Sequence, residues 1–178
     1  MWLRSRAEQF RQLIEPAMDP REYWRVAHGR APALGAPQLA HQVAELGQVV
    51  GGLKSRFPTR AIDATGCLDR SIGMSSEKAL IVLSHLTDNA IRHNAKNVRL
   101  EAVDDASTVK MTVSNDGDPI SEPNREKIFD AFFTARRDTG GTGMGLSIVQ
   151  AVMTSHGGLI RLLPSNKGVT FELEFPAA

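Results

Sequence analysis

A glycine-rich run that leads directly into an apolar helical pattern is the feature that most constrains the fold of this chain. The run extends over residues 139–146, and residues 146–153 have the spacing of a helix. Glycine has no Cβ atom, so the backbone there can turn tightly and approach a ligand. The first amides of the following helix have no internal partner and lie at the positive end of its dipole. The junction is typical either of a simple turn or of an anion site, for which a polyphosphate is the obvious candidate.

The composition excludes several classes of protein. The chain has 178 residues, of which 42% are hydrophobic and 23% charged, which is enough for one buried core. A net charge of +1 gives no single-sign surface of the kind that binds nucleic acid. Cys67 is the only cysteine, which excludes an internal disulfide and a cysteine-rich metal site. No apolar run in the sequence is long enough to span a bilayer, and we expect a soluble, cytoplasmic chain.

Residues 1–56 are expected to form a helical N-terminal arm. Helical spacing occurs over Leu3–Ile14 and over Gln38–Leu53, with a segment rich in glycine and proline between them. All the tryptophan and tyrosine of the chain falls within this arm, at Trp2, Tyr23 and Trp24. These residues indicate either local packing or a surface for a second copy or another protein.

Residues 57–178 have a mixed pattern of helices and strands. Strands are expected near residues 60–64, 97–103, 109–114, 159–163 and 169–175, and helices near 76–94 and 143–156. Ser75 or Ser76 is expected to cap the first of these helices. The long connection at 116–141 is rich in turn formers around a short helical segment, 124–133. This order of helices and antiparallel strands predicts a two-layer α/β (α+β) sandwich.

The helix expected at 76–94 carries a polar ridge formed by His85, Asn89, Arg92 and His93. Their spacing by three and four residues puts them on one face, opposite an apolar arc that would face the core. An amide oxygen can ligate magnesium, a guanidinium can grip phosphate, and an imidazole offers a flat face to a base. The ridge therefore indicates either a nucleotide site or an ordinary solvated polar face.

Two further segments combine polar and aromatic residues in loops. The turn at Asn115–Gly117 follows a strand, so the amide is able to accept a hydrogen bond from an amino group while the glycine lets a flat ring approach. Phe129, Phe132 and Phe133 lie in an otherwise polar region, where they would anchor a movable segment to the core. A plain turn and ordinary packing are the alternatives for these two segments.

Taken in order, these motifs resemble the catalytic ATP-binding domain of bacterial sensor histidine kinases. The matching segments are residues 88–94, 113–117, 128–134, 141–149 and 168–171. The resemblance covers about residues 60–176 and extends to the wider ATPase group shared with gyrase, Hsp90 and MutL, the GHKL group. It implies a Bergerat ATP-binding fold with a mixed, mostly antiparallel sheet, ATP and Mg²⁺ as ligands, and an ATP lid at about 116–142.

The resemblance also implies a role for each matching residue. Asn89 would ligate magnesium, Arg92 would lie near the phosphates and His93 near the adenosine. Asn115 would read the adenine amino group, with Gly117 beside the base and Thr170 in support. The remaining matches to nucleotide contacts, the aromatic box and the glycines of the lid are His85, Ile120, Phe129, Phe132, Phe133, Gly141, Thr142, Gly143, Met144, Gly145 and Leu146. Arg136 and Arg137 would reach the terminal phosphate, and with Asn89 and Arg92 they are the catalytic candidates.

The chain departs from the family pattern at three positions. Asn115 replaces the usual aspartate, so its amino group needs an acceptor and binding would be weaker or differently tuned. Pro119 stands where a second glycine is common. His85 stands where kinases often have asparagine and the hydrolysing relatives have a glutamate base. The absence of a carboxylate at position 85 argues against activation of water and for transfer to another protein.

The function that the resemblance implies is that of an ATP-dependent protein-histidine kinase domain of a two-component system. Its partners would be a phosphoacceptor histidine hairpin, in the same or a partner chain, and a response regulator receiver domain. Neither His28 nor His41 matches the acceptor pattern. The arm at 1–56 is expected to be a dimerisation region, a remnant of the hairpin or a partner-binding region, and a homodimer and a membrane-anchored parent protein stay open. A degenerate module that binds such partners with nucleotide absent or only regulatory, and an ATPase that drives conformational work, are the alternatives.

Overall fold

The computed structural model describes residues 43–105, 107–135, 142–165 and 167–178. Within them the elements are β1 (Ala44–Glu45), α1 (Leu46–Arg56), β2 (Ala61–Gly66), β3 (Ser71–Ile72), α2 (Ser76–Arg92), β4 (Asn97–Asp105), β5 (Thr108–Asn115), a 3₁₀ helix (Glu122–Asn124), α3 (Gly145–Ser155), β6 (Leu159–Leu163) and β7 (Val169–Pro176). The predictions for Leu3–Ile14, for the aromatic residues of the arm and for His28 and His41 lie outside the described residues.

The main sheet has five strands in the order β2-β4-β5-β7-β6. β2 pairs with β4 in parallel, and the other neighbours pair antiparallel, so the sheet is mixed and mostly antiparallel, as predicted. Buried and more exposed residues alternate along β4, β5 and β7, which is the period-two pattern of a sheet with one covered face. The covered face contributes Val98, Leu100, Ala102, Val109, Met111, Val113, Phe171, Leu173 and Phe175 to the core.

The helices form the second layer of the sandwich. α1 packs on α2, and α2 packs on α3, whose C-terminal end leads into β6. Their apolar stripes are buried with the covered face of the sheet, through residues such as Leu53, Leu83 and Val149. The two-layer α/β sandwich predicted from the order of elements is therefore confirmed. None of the described helices is both long and apolar enough to cross a membrane.

Sequence signals at both ends of α2 explain its bounds. The Ser75 side chain accepts a hydrogen bond from the Lys78 amide at 3.3 Å, which is a standard N-cap interaction. At the other end Asn94 has a φ of 64°, and the Ala95 amide donates to the Ala90 carbonyl oxygen at 2.9 Å. Asparagine tolerates this left-handed conformation, which ends a helix, so the helix stops at Arg92 rather than at the predicted residue 94.

The helix predicted from Gln38 to Leu53 differs at its start within the described residues. α1 begins at Leu46, because Ala44–Glu45 pairs antiparallel with Ser71–Ile72 as a two-stranded sheet. The first amides of α1 then donate to the loop before β3, from Leu46 to the Arg70 carbonyl oxygen at 3.1 Å and from Gly47 to that of Leu68 at 2.7 Å. A distant segment, which local periodicity does not report, therefore caps this helix.

Two other expectations concern the arm and the lid. Residues 43–56 belong to the same compact unit as the sandwich, while the functions predicted for the arm of residues 1–56 remain predictions.

The prediction of a helical segment at 124–133 was wrong about the type of secondary structure. The chain instead forms the 3₁₀ helix Glu122–Asn124 and successive turns closed from Lys127 to Asn124 and from Asp130 to Lys127. Bonds of the i to i+3 type give shorter, less regular structure than an α-helix.

Candidate functional site

The polar ridge lies on the partly exposed side of α2. His85 and Asn89 are half-buried, His93 is half-buried at the C-cap, and Arg92 is exposed. The opposite side of α2 belongs to the core through Ala79, Leu83, Leu86 and Ala90. The amphipathic pattern thus fixes the rotation of the helix, and the ridge faces outward as the sequence predicts.

The environment of His85 favours the neutral imidazole. Burial lowers the pKa of His85 below its usual value of 6.5, and the positive charges of Arg56 and Arg92 lower it further. The Asp88 carboxylate acts in the opposite direction without overcoming burial. At neutral pH the ring is therefore uncharged and keeps a nitrogen lone pair.

The turn that follows β5 is held against the C-terminus of α2. The Asp118 amide donates to the His93 carbonyl oxygen at 2.7 Å, and the Asn94 side chain donates to the Asp118 carboxylate at 2.7 Å. A Cβ atom at Gly117 would lie 2.5 Å from the His93 carbonyl oxygen, so this approach requires glycine. The turn and the ridge, which are separate in the sequence, thus meet at Gly117 and His93.

Asp116 anchors the same turn to the start of β4. Its carboxylate accepts hydrogen bonds from the Asn97 amide at 2.9 Å, the Asn97 side chain at 2.7 Å and the Lys96 amide at 2.8 Å. These bonds favour the charged form and lower the pKa of Asp116 from 3.8 to about 2. This role of Asp116 was not predicted from the sequence. An aspartate beside a turn glycine is a signal for local side-chain bonding, but it does not identify partners about 20 residues away.

The Asn115 side chain lies between a local turn and the last strand. Its Oδ1 accepts a hydrogen bond from the Gly117 amide at 3.0 Å, which leaves the second lone pair of that oxygen and the amino group for a ligand. In the register of β5 and β7, Ser114 lies opposite Thr170. A Cβ atom at Gly168 would overlap the Asn115 carbonyl oxygen, so the turn before β7 also packs closely here. Gly168 was not among the predicted site residues.

The aromatic box joins the two described ends of the lid. The Phe132 amide donates to the Gly143 carbonyl oxygen at 2.9 Å, and both residues have a φ of 68°. A Cβ atom at Gly143 would lie 2.6 Å from the Phe133 carbonyl oxygen, so only glycine fits without strain. Phe129 packs edge-on against Phe171 of β7, with ring centroids 6.3 Å apart. Phe129 and Phe133 are half-buried, whereas Phe132 is 46% exposed, so the expectation that all three rings anchor this segment to the core is wrong for Phe132.

The start of α3 faces the polar ridge. α3 begins at Gly145 without a side-chain cap and without an acidic residue in its first turn. A Cβ atom at Gly145 would lie 3.9 Å from His85 Nδ1. Uncapped amides at a helix N-terminus suit an anion, and the half-buried ridge lies beside them. The described end of the glycine-rich run, at Gly145, is therefore adjacent in space to the ridge.

The ridge has a donor set that fits magnesium brought in with phosphate. Asn89 offers one neutral amide oxygen, and magnesium commonly takes one or two protein ligands together with phosphate oxygens and waters. Within the ranges that the structure describes, no three histidine, cysteine, aspartate or glutamate side chains come together as a metal cluster.

For several predicted site residues the structure gives the position and the exposure but no contact that indicates a role. Ile120 and Leu146 are half-buried, Thr142 is exposed, and Met144 is 5% exposed. Their contacts to a nucleotide stay predictions. Arg136, Arg137 and Gly141 lie outside the described residues.

Curated relatives share the C-terminal part of this chain. The sensor protein IrlS of Burkholderia pseudomallei is 36% identical over 102 residues, which is 53% of this chain and 22% of that protein. The sensor histidine kinase CusS of Escherichia coli O6:H1 is 32% identical over 103 residues, 53% of this chain and 21% of that protein. The chain thus spans about a fifth of the length of these relatives, which are named as sensors and sensor kinases.

Solved structures agree with this relationship. The nucleotide-free catalytic domain of the histidine kinase ThkA has a TM-score of 0.67 at 29% identity, over 76% of this chain and 95% of that domain. ThkA in complex with the response regulator TrrA has the same fold, with a TM-score of 0.62 at 24% identity over 77% of this chain and 42% of that one. The histidine kinase-, DNA gyrase B- and HSP90-like ATPase family matches residues 75–178, more than half of the sequence. The chain therefore belongs to this ATPase family, as the catalytic ATP-binding domain of a sensor histidine kinase.

Proposed function

We propose that this domain binds Mg-ATP between α2 and the start of α3 and transfers the terminal phosphoryl group to a histidine of a helical hairpin. The observation that carries the proposal is the position of Gly145, where a Cβ atom would lie 3.9 Å from His85 Nδ1. An uncapped helix start and a half-buried polar ridge thus form one site. This combination of positive dipole and amide ligand suits a polyphosphate with its metal ion.

Different residues of the site would contact different parts of the nucleotide. Asn89 would hold magnesium through its amide oxygen, and Arg92, which is exposed beside it, would contact phosphate. Bound magnesium would neutralise charge on the phosphate oxygens. The first amides of α3 would stabilise charge on the transferred group, while Asn115 and Gly117 would bind the base from the other side. Arg136 and Arg137 remain candidates for the terminal phosphate.

Transfer to a protein is the reaction that His85 favours. Its imidazole stands where the hydrolysing members of the group carry a glutamate base. A neutral, half-buried imidazole with depressed basicity is a poor activator of water compared with a positioned carboxylate. The acceptor would be a histidine hairpin in the same or a partner chain, and the product would be passed to a response regulator receiver domain. ThkA, of the same fold, was solved with such a regulator.

Because the proposed reaction uses ATP, it would take place in the cytoplasm. The same holds if the parent protein is anchored in the membrane. The proposal also includes a homodimer in which two chains associate through the arm, because a dimer would bring the site of one chain to the hairpin of the other.

Calorimetric titration with Mg-ATP tests the binding step. The chain should bind Mg-ATP, and Asn89→Ala should lose about 1–3 kcal/mol of binding free energy, as expected for removing one partner of a charged group. Gln150→Ala is a matched control, because Gln150 is an amide-bearing residue on an exposed position of α3. This control should bind as the parent chain does. Equal affinity in the parent chain and Asn89→Ala would refute the assignment of Asn89.

A module that binds partners without catalysis is the second candidate, and Asn115 favours it. One lone pair of its Oδ1 is already used by the Gly117 amide, so the base would meet a weaker acceptor than a carboxylate. The same titration separates the candidates. A well-folded chain that does not bind Mg-ATP would support the module and exclude the kinase.

A further inference from the structure

We propose that Lys78 is a site of acylation at its Nζ atom, with a small acyl phosphate as the acyl donor and His156 as the base that accepts a proton from the attacking nitrogen. Both residues lie outside the proposed nucleotide site. Lys78 is in the first turn of α2, about 10 Å along the helix axis from His85, and His156 is the C-cap of α3. The proposed modification is therefore a function separate from nucleotide binding.

The contact between Lys78 and His156 joins a nucleophile to a base. Lys78 Nζ lies 2.9 Å from His156 Nε2. At the opposite side of the ring, His156 Nδ1 lies 2.9 Å from the Val152 carbonyl oxygen and 2.9 Å from Ser155 Oγ. A nucleophile within hydrogen-bond reach of a base, which a third group orients, is the arrangement by which proteins activate nucleophiles.

The partners of His156 fix its tautomer. A carbonyl oxygen only accepts hydrogen bonds, so His156 Nδ1 carries the hydrogen that it donates to Val152. In the neutral imidazole the lone pair then belongs to Nε2, the nitrogen that faces Lys78. Ser155 Oγ donates to the same Val152 carbonyl oxygen at 3.0 Å and so helps to hold the ring in this orientation. The base is thus directed at the lysine nitrogen.

The surroundings of Lys78 suit an anionic acyl donor. Among the residues that the structure describes, no carboxylate forms an ion pair with Lys78, and a ring nitrogen is its partner instead. The side chain is half-buried, so part of it is open to solvent. Its place in the first turn puts it at the positive end of the α2 dipole, which attracts phosphate. Glu77, the acidic residue of that turn, is exposed, so solvent and salt screen its charge.

The proposed reaction is an acyl transfer from oxygen to nitrogen. The Lys78 ammonium first releases one proton to solvent, and the free amine forms a bond from Nζ to the acyl carbon. The bond from that carbon to the phosphate oxygen breaks, and the second proton passes through His156 Nε2 to the leaving phosphate. The products are an amide on Lys78, which no longer carries a positive charge, and inorganic phosphate.

Quantitative mass spectrometry after incubation of the chain with acetyl phosphate at pH 8 tests the site. We expect Lys78 to be acetylated faster than Lys54, Lys96 and Lys127, which are all exposed. A purely structural contact between Lys78 and His156 predicts the reverse order, because a half-buried amine is less accessible than an exposed one. Acetylation of Lys78 at or below the rate of the exposed lysines would therefore overturn the proposal, whatever the variants show.

The variant His156→Gln tests the base. It should lower the rate at Lys78 by about 10-fold or more, since a positioned base contributes at least that much, and leave the exposed lysines unchanged. Thr154→Ala, at an exposed position in the last turn of α3, is the control and should react as the parent chain does. A urea midpoint like that of the parent chain verifies the fold of each variant. An unchanged rate at Lys78 in folded His156→Gln would refute the proposed base.

A neutral acetyl thioester in place of acetyl phosphate tests the class of donor. Because the thioester carries no phosphate for the end of α2 to attract, the rate at Lys78 relative to Lys54 should be lower than with acetyl phosphate. Preference for Lys78 with the thioester but not with acetyl phosphate would overturn the assignment of an acyl phosphate.

Discussion

At the scale of single residues, Asp116 shows how a side chain outside the ligand site can set its shape. Its carboxylate accepts hydrogen bonds from Lys96 and Asn97, and the turn that it anchors carries Asn115 and Gly117. The turn after β5 is thus fixed to the sheet by hydrogen bonds to a charged group, which are stronger than those between neutral groups. The geometry of Asn115 depends on this anchor.

The depressed pKa of Asp116 predicts a pH-dependent contribution to stability. Because its pKa is about 2 in the folded chain against 3.8 as the usual value, the contribution is fully present above about pH 4 and is lost as the pH falls toward 2. The substitution Asp116→Asn removes this contribution to stability. It also puts the amino group of the new amide near the Asn97 side chain, which is itself a hydrogen-bond donor. The variant should be less stable than the parent chain at pH 7, and the difference should shrink at pH 3.

Urea denaturation of both chains at the two pH values measures this difference. Asp63→Asn, which removes an exposed carboxylate from β2, controls for the loss of one negative charge. A stability difference between Asp116→Asn and the parent chain that is the same at pH 7 and pH 3 would show that the carboxylate charge does not stabilise the turn.

At the scale of elements, the sequence predicted the regular parts of the sandwich and not the long-range contacts between loops. The strands at 97–105, 108–115, 159–163 and 169–176 were predicted within a few residues. Burial alternates along the first, second and fourth of them, which gives their sequences a period of two. β1 and β3 were missed because two-residue strands have no periodicity. The contact of Gly168 with Asn115 was missed because it joins residues far apart in the sequence.

Replacement of glycine by alanine should have opposite effects on stability at Gly143, before α3, and at Gly51 in α1. Gly143→Ala adds a Cβ atom 2.6 Å from the Phe133 carbonyl oxygen at a φ of 68°, so it should destabilise the domain by more than about 1 kcal/mol. Gly51→Ala adds one at an exposed position of α1, where the described residues outside that helix have no atom within 4 Å, so it should stabilise the domain by about 0.5–1 kcal/mol.

Thermal or urea unfolding of the two alanine variants checks these signs. The comparison also bears on function, since Gly143 was assigned to phosphate binding from the sequence alone. Weaker nucleotide binding in Gly143→Ala would be explained by displacement of Phe132 and Phe133, without any phosphate contact. Equal stability of Gly143→Ala and the parent chain would contradict the close packing of the aromatic box.

At the scale of the whole domain, the fold brings together residues that the sequence separates. α2 carries the ridge, the turn after β5 meets its C-terminus at His93, and α3 begins opposite His85. The order of these motifs along the chain was enough to predict the family, because each lies at the end of an element whose packing is fixed by the core. Distances between the motifs required the structure, since sequence order does not determine how α2 and α3 cross.

Phosphoryl transfer is the measurement that tests the central claim most directly. The chain is incubated with Mg-ATP labelled at the terminal phosphate and with helical hairpins that each carry a candidate phosphoacceptor histidine. We expect an acid-labile label on a hairpin histidine, and its loss in Asn89→Ala but not in Gln150→Ala. Bound Mg-ATP without label on any hairpin, or label that persists in Asn89→Ala, would contradict the account.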